Sequence, residues 1–384
     1  MPLILLLLTT TLAQTMTRDG ADTWVRTETG SFAVVVSRPL TIRTRGHVIV
    51  HGDNTDRIAY VLTQRVRARN EETAHRRFSG TITDSLVAEG TLRILAAPDA
   101  LVTTQISITV PRRLAGLTID AQPGDVEVYD LDSNVRATTA AGQIHCDRIR
   151  GRCEARTGGG EIRLGKIGGA IQCVNAAGPI VVDSAGGGGN CTSAGGEIQI
   201  RDAAGPLTLS TEAGNIEVDR AGSNVEAHTA QGVIDIAQSN GMVVADTRGG
   251  SIQIGSARGV RCQSGSGPVR VKCAAGPMQI QTALGSIMVE LLANARIQES
   301  SLTAGSGDIT VLIPSNVALS VLARNDSGTN PKIVSDFSEV RARSIAPQPP
   351  AVVYRTTVYQ GSINGGGPLM MLNTAAGIIY VRKK

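Results

Sequence analysis

The sequence predicts an all-β fold: a single-stranded parallel β-helix (β-solenoid) of about 18 residues per coil, made of two nine-residue half-units and closed by β-rich caps. Three observations predict it. From Gly124 to Val289 a unit of the form Gly-x-Ile-x-Val plus four turn residues recurs. Its strongest copies begin at Gly124, Gly142, Gly160, Gly196, Gly214, Gly232 and Gly250, all multiples of eighteen apart, and weaker copies such as Gly169-Ala-Ile-Gln-Cys173 and Gly205-Pro-Leu-Thr-Leu209 fall at the nine-residue midpoints. The composition agrees. Among 384 residues there are 44 Gly without a collagen period, and only three Phe, five Tyr and one Trp, which suits a turn-dense β-structure better than an ordinary globular enzyme.

Within each unit the third and fifth residues are apolar and the second and fourth mostly polar, the period-two pattern of a half-buried strand. The four residues between strands are rich in Gly, Ala, Ser, Thr and Asp, which accept tight turns. So short a strand and turn cannot bury an apolar face alone, and a fixed period means that successive units stack. The third position runs Val126, Val135, Ile144, Cys153, Ile162, Ile171 and onward to Ile287, broken by Gly189 inside the run Gly186 to Gly189. The fifth position is mostly large in the first strand of each coil (Leu164, Ile200, Ile236) and mostly small in the second (Ala137, Ala155, Ala227), so large side chains face small ones across a thin core. One residue is missing between Gly250 and the next unit at Arg258, read as a shortened turn. At the ~4.8 Å spacing of stacked strands, roughly nine or ten coils span on the order of 45 Å.

The ends are organised differently. Residues 1 to 13 read as a signal peptide: the apolar core Leu3 to Leu8 precedes a small-residue cleavage site after Ala13. A buried first strand is the alternative, because no Lys or Arg precedes the apolar run. Residues 22 to 121 alternate apolar and polar without the nine-residue period, as in Leu40-Thr-Ile-Arg-Thr44 and Gln105-Ile-Ser-Ile-Thr109, and form an N-terminal cap; charged Arg65 to Arg77 reads as a long loop or a short helix. The regular repeats occupy 122 to 290. Residues 291 to 384 form an irregular continuation and C-terminal cap, with an exposed loop at Ala346-Pro-Gln-Pro-Pro350 and a closing pair of strands before a basic tail.

A net charge of +4 and the lack of Lys/Arg blocks with interleaved aromatics speak against nucleic-acid binding. No later apolar stretch is long enough for an integral membrane span, so the expectation is an exported protein, periplasmic or at the cell surface. Six cysteines lie in the repeat, five at inward positions, where cysteine serves as a small apolar residue. Cys173 and Cys191 occupy the same slot in adjacent coils, a disulfide candidate if rotamers allow.

The N-terminal strands, the entry Ile108-Thr-Val-Pro-Arg-Arg-Leu114 to Gly124-Asp-Val-Glu-Val128, the stretch Ser306-Gly-Asp-Ile-Thr-Val-Leu-Ile-Pro314 and the close at Ile363-Asn-Gly-Gly-Gly-Pro368 resemble the bacterial "putative adhesin" or toast-rack domains, over residues 25 to 384. That family is mostly uncharacterised. The resemblance implies a β-solenoid and an envelope location, and brings no agreed catalytic residues.

The search for chemistry finds no nucleophile elbow, P-loop, zincin motif or Cys-x-x-Cys. His47 and His51 lie four apart with Asp53 nearby, but no third ligand of clear spacing makes them a metal site. Asp130-Leu-Asp-Ser-Asn134 starts like a calcium loop and then has Val135 where the turn glycine belongs. His145 and His228 stand alone. Glu217 and Asp235 share an outward slot in successive coils with Glu197 one coil earlier, which suits a solvated face better than a glycosidase pair. No catalytic, cofactor-binding or metal residues are assigned. Outward Val233, Met242 and Val244 would mark a contact patch if they were continuous. The expected function is a non-enzymatic, exported, adhesin-like or scaffolding surface, with an unknown envelope component, polysaccharide or protein as partner. The alternatives are a polysaccharide-binding or -cleaving β-helix enzyme and a self-assembling structural element.

Overall fold

The structure is a computed structural model that describes residues 13–33, 39–79, 82–86, 91–95, 101–293, 296–328, 332–343 and 355–384. The apolar run at 3 to 8 and the Pro-rich segment at 346 to 350 lie outside the described residues. The chain is a parallel β-solenoid of about 11 turns with ~18 residues per turn, 64% strand with one helix among the described residues. Two compact units divide at Gly188 and Gly189, inside the glycine run that breaks the third-position column.

In the N-terminal unit every coil gives one strand to each of two parallel sheets. The first sheet stacks Val126–Leu131, Ile144–Ile149, Ile162–Ile167 and Ile180–Ala185, with Val126 opposite Ile144 and Ile162 opposite Ile180. The second stacks Leu117–Ala121, Val135–Thr139, Cys153–Thr157 and Ile171–Asn175 in the same eighteen-residue register. The large fifth-position residues Val128, Leu164 and Val182 of the first sheet and the small Ala137 and Ala155 of the second are all buried.

The solenoid begins earlier than the repeat does. Leu40–Thr44 and His47–Asp53 form its first coil, paired in parallel to Leu117–Ala121 and Val126–Leu131. Thr103–Pro111 adds a further parallel strand to the first sheet, after which Arg57–Arg67, Thr23–Ala33 and Ala13–Arg18 continue it antiparallel. The segment read as a long loop or short helix is strand to Arg67 and then helix over Glu71–Phe78. Asn70 caps the helix by accepting from the Thr73 N–H at 3.0 Å, acidic Glu71 and Glu72 sit in the first turn, and basic residues sit in the last. Its buried Ala74 and Phe78 pack on Val66 and Ala68, with Met16, Trp24 and Val102 around them. This helix covers strands that would otherwise expose an apolar sheet face.

In the C-terminal unit the first sheet runs from Ile198–Ala203 through Ile216–Ala221, Ile234–Ser239, Ile252–Ser256, Val269–Ala274 and Ile287–Leu291 to Ile309–Ile313. The second runs from Gly189–Ser193 through Leu207–Thr211, Val225–Thr229, Met242–Thr247, Gly259–Ser264 and Met278–Thr282 to Ser300–Ser306. The missing residue falls at the corner after Ser256: Gln238 pairs with Ser256 eighteen later, and Val243 then pairs with Val260 seventeen later.

The pair of strands that closes the chain does not end the stack. Leu369–Ala376 lies between Ser300–Ser306 and Leu319–Gly328, while Ile378–Lys383 lies between Ile309–Ile313 and Lys332–Ser335. The end of the chain therefore returns as an interior coil, with Met370, Leu372, Ile379 and Val381 all fully buried.

Candidate functional site

The corners where the second sheet hands over to the first are held by a column of polar side chains. Thr139, Thr157 and Asn175 in the N-terminal unit, and Ser193, Thr211, Thr229, Thr247, Ser264 and Thr282 in the C-terminal unit, end their strands buried. The Thr229 hydroxyl donates to the Gly214 carbonyl at 3.0 Å and accepts from the Gly232 N–H at 3.1 Å. Thr247 does the same with Gly232 and Gly250, at 3.3 and 3.0 Å. Asn175 reproduces it with its amide, donating to the Gly160 carbonyl at 2.7 Å and accepting from the Gly178 N–H at 3.0 Å. Each side chain thus satisfies backbone groups that no ladder reaches. The glycines are required by close approach: a Cβ on Gly232 would lie 1.9 Å from the Gly214 carbonyl oxygen. Sequence reasoning passed over this column, although its signal, Thr/Ser/Asn three residues before the repeat glycine, is visible.

Above these corners in the C-terminal unit lies a groove of about 620 Å³. Its rungs come from successive strands of the second sheet: Ser210 opposite His228, His228 opposite Asp246, Asp246 opposite Gln263 and Gln263 opposite Gln281. The alternation that turns Leu209, Ala227 and Ala245 inward turns this row outward, one residue per coil. His228, read from sequence as standing alone, has carboxylates at both ring nitrogens: Glu226 Oε1 is 3.0 Å from Nε2 and Asp246 Oδ2 is 3.2 Å from Nδ1. Glu212 and Arg248 flank the row on the turns.

A larger groove, of about 990 Å³, marks the opposite corner of the N-terminal unit. Its arginines pair with two of its aspartates, Asp130 and Asp132. Asp130 takes Arg148 through both carboxylate oxygens, each at 2.8 Å, and Arg112 at 3.0 Å. The Arg148 hydrogen bonds hold the Asp130 carboxyl below the usual carboxylate range against the opposing effect of burial. Asp130 and Arg148 both take left-handed φ values, 63° and 55°, uncommon without glycine, and the ion pairs pin those corners. Arg148 also reaches Asp147, whose Oδ1 accepts the N–H groups of Arg148 and Lys166 at 2.9 Å each. This is the stretch that began like a calcium loop; Asp130 holds arginines instead.

The outward face of the first sheet in the N-terminal unit gathers His47, His51, Glu127, Tyr129 and His145. His47 Nε2 is 3.0 Å from Glu127 Oε1, and the Tyr129 hydroxyl donates to Glu127 Oε2 at 2.7 Å and lies 3.2 Å from His145 Nδ1. His51 stacks on Tyr129 with centroids 5.0 Å apart. Burial, then Glu127, pushes the Tyr129 hydroxyl up to about 12. His145 is therefore not alone, and the His47/His51 pair is turned to a carboxylate and a ring. Among the described residues no group of three or more His, Cys, Asp or Glu is arranged to hold a metal ion.

Glu217 and Asp235 are direct partners on the first sheet's outward face of the C-terminal unit. Gln199 Nε2 donates to Glu217 Oε2 at 2.9 Å, and burial, then Glu217, raises the Asp235 carboxyl; Glu197 is exposed in the turn before Ile198. Val233 precedes a first-sheet strand, whereas Met242 and Val244 share a strand of the second sheet. Cys173 and Cys191 are both buried, one in each unit. The thiols brought together are Cys146 and Cys153, and their hydrogen bond, with burial, pushes the Cys146 thiol well up.

The profile of the Toastrack DUF4097 family matches residues 90–331. The chain belongs to this family. The matched stretch of this Toastrack protein takes in all the regular coils and the whole groove of the C-terminal unit, and begins after the helix, so it is shorter than the resemblance at 25 to 384. No curated protein matches the chain. Among solved structures, a protein described as a putative cell adhesion protein from Clostridium sporogenes aligns over 98% of this chain and 100% of its own at 8% identity, with a TM-score of 0.17. One described as a putative lipid binding protein from Parabacteroides distasonis aligns over 74% and 96% at 15% identity, with a TM-score of 0.25. At those scores neither bears on function. Among the described residues no helix is long and apolar enough to cross a membrane.

Proposed function

We propose that this Toastrack protein is an exported, non-enzymatic β-solenoid that offers the outward faces of its coils as an adhesin-like binding surface in the cell envelope. The observation that carries this is the division of labour among its polar groups. At the centre of the larger groove Asp130 is tied to Arg112 and Arg148, while a second groove displays polar side chains one per coil. A regular, rigid row suits recognition of an extended surface; catalysis needs a few groups converging on one atom. Export is supported by the apolar run at Leu3 to Leu8 and the small residues before Gln14. The described strand Ala13–Arg18 would lose one residue on cleavage after Ala13.

The test is co-sedimentation of residues 14 to 384 with isolated envelope fractions and insoluble polysaccharides, with reducing sugar assayed in the supernatant. Binding without sugar release is expected. Sugar release overturns the non-enzymatic part, and a full-length chain that stays in the cytoplasmic fraction with residues 1 to 13 uncleaved overturns export.

A further inference from the structure

We propose that the groove on the second sheet of the C-terminal unit binds a linear glycan, laid along the stack of coils with its sugars in step with the rungs Ser210, His228, Asp246, Gln263 and Gln281. The proposal rests on the adhesin-like reading and supplies its ligand class.

The first argument is unspent hydrogen-bonding capacity. Ser210, Glu212, Arg248, Gln263 and Gln281 line the groove and make no side-chain hydrogen bond or ion pair among the described residues. The N-terminal groove differs at its centre, where Asp130 is taken up by Arg112 and Arg148. A concave site of a few hundred cubic ångströms with several open polar groups is the usual form of a ligand site. Amides and hydroxyls that both donate and accept match a ligand rich in hydroxyls.

The second argument is period. Rungs on stacked strands repeat every ~4.8 Å, close to the rise of one pyranose in an extended chain. A peptide strand lying in the same direction repeats its side-chain pattern every ~6.6 Å and falls out of step. Single-stranded nucleic acid requires a cationic groove with aromatic platforms, and Arg248 beside His228 supplies the basic groups here against Glu212 and Asp246.

The third is rigidity. The floor is the polar column Thr211, Thr229, Thr247 and Ser264, bonded to backbone above and below. The His228 ring is fixed between Glu226 and Asp246, so this rung is held in place without the entropy loss of a mobile side chain.

The experiment is a binding screen of residues 14 to 384 against an array of linear glycans, cellohexaose and chitohexaose included, followed by titration of the best binder. The double variant Gln263→Ala/Gln281→Ala is expected to bind about tenfold or more weakly, with unchanged thermal unfolding. Gln253→Ala, outward on the other sheet, is expected to bind as the parent does. Equal binding by the double variant overturns the groove and leaves the adhesin-like reading standing. If no linear glycan binds while the protein still sediments with envelope fractions, the glycan class is overturned and the adhesin-like reading survives. If both fail, both fall.

Discussion

Replacing Thr229 by Val removes one hydroxyl while keeping the branched shape that the strand end requires. Thr229 is 6% exposed, and its hydroxyl serves the Gly214 carbonyl at 3.0 Å and the Gly232 N–H at 3.1 Å. Leaving a buried polar group without a partner costs about 1–3 kcal/mol. The Gly232 N–H is buried and bears that cost in full, whereas Gly214 is partly accessible and recovers some of it from water. We expect a net loss of about 2–3 kcal/mol, or roughly 4–12 °C in Tm at 2–4 °C per kcal/mol for a unit of this size. Far-UV circular dichroism during thermal unfolding measures the global effect, and hydrogen exchange at the Gly232 amide measures the local one. Thr229→Ser keeps the hydroxyl, and serine already fills this slot at Ser193 and Ser264, so it should retain most of the lost stability. If the valine variant melts within about 1 °C of the parent and Gly232 stays equally protected, the polar column is not holding the corners and the reasoning fails.

Four further outcomes are expected. Gly232→Ala puts a Cβ 1.9 Å from the Gly214 carbonyl oxygen; because backbone must move, it should destabilise by at least ~1–3 kcal/mol in chemical denaturation. Asp130 has its folded pKa below the ordinary 3.8, so its pairing contributes stability above the unfolded value that is lost as pH falls through the folded one; Asp130→Asn should flatten the acid limb of the Tm–pH curve below that value, and an unchanged limb rejects the pairing. The Cys153 hydrogen bond and then burial raise the Cys146 thiol, and burial followed by Asp246 raises that of Cys262; both should resist a thiol reagent at pH 8 until denaturant is added, which mass spectrometry of labelled peptides reads directly. Deleting residues 369 to 384 removes fully buried Met370, Leu372, Ile379 and Val381, worth about 6–12 kcal/mol at 1.5–3 kcal/mol each, so the soluble folded protein should disappear, whereas deleting residues 13 to 18, an exposed edge strand, should leave it soluble.

What the sequence disclosed follows from which interactions are local. Inward and outward positions are set by strand alternation within five residues, so the third-position column from Val126 to Ile287 was legible and every described member of it except Gly189 is buried. The corner column at Thr229 and its equivalents was equally local, three residues ahead of the repeat glycine, and was passed over because the eye follows apolar period and the useful atom is a hydroxyl. The helix at Glu71–Phe78 was half legible: Asn70 and the acidic first turn are cap signals, but eight residues are too few for an apolar stripe to establish itself. The partners of His145 and His228 were hidden for another reason. Tyr129 and Asp246 are sixteen and eighteen residues away in sequence and become neighbours only through the stacking register.

Order along the stack is the property that no period can encode. A strand that pairs with its neighbour eighteen residues on and one that pairs with a partner seventy residues on carry the same alternation, because each sees only an apolar column and two open edges. Leu302 therefore accepts Leu372, and Val311 accepts Val381, although Leu319–Gly328 and Lys332–Ser335 come sooner in the chain. Closure accompanies this order: the antiparallel strand Arg355–Ile363 takes one edge of Leu319–Gly328, and Leu369–Ala376 takes the other, between that strand and Ser300–Ser306. The same non-locality governs the groove. That Ser210, Gln263 and Gln281 point outward can be read from alternation, but that they line a concavity depends on how the stacked corners align across five coils. Sites of this kind in repeat proteins should be sought by adding the register first and then asking which outward rows remain without partners.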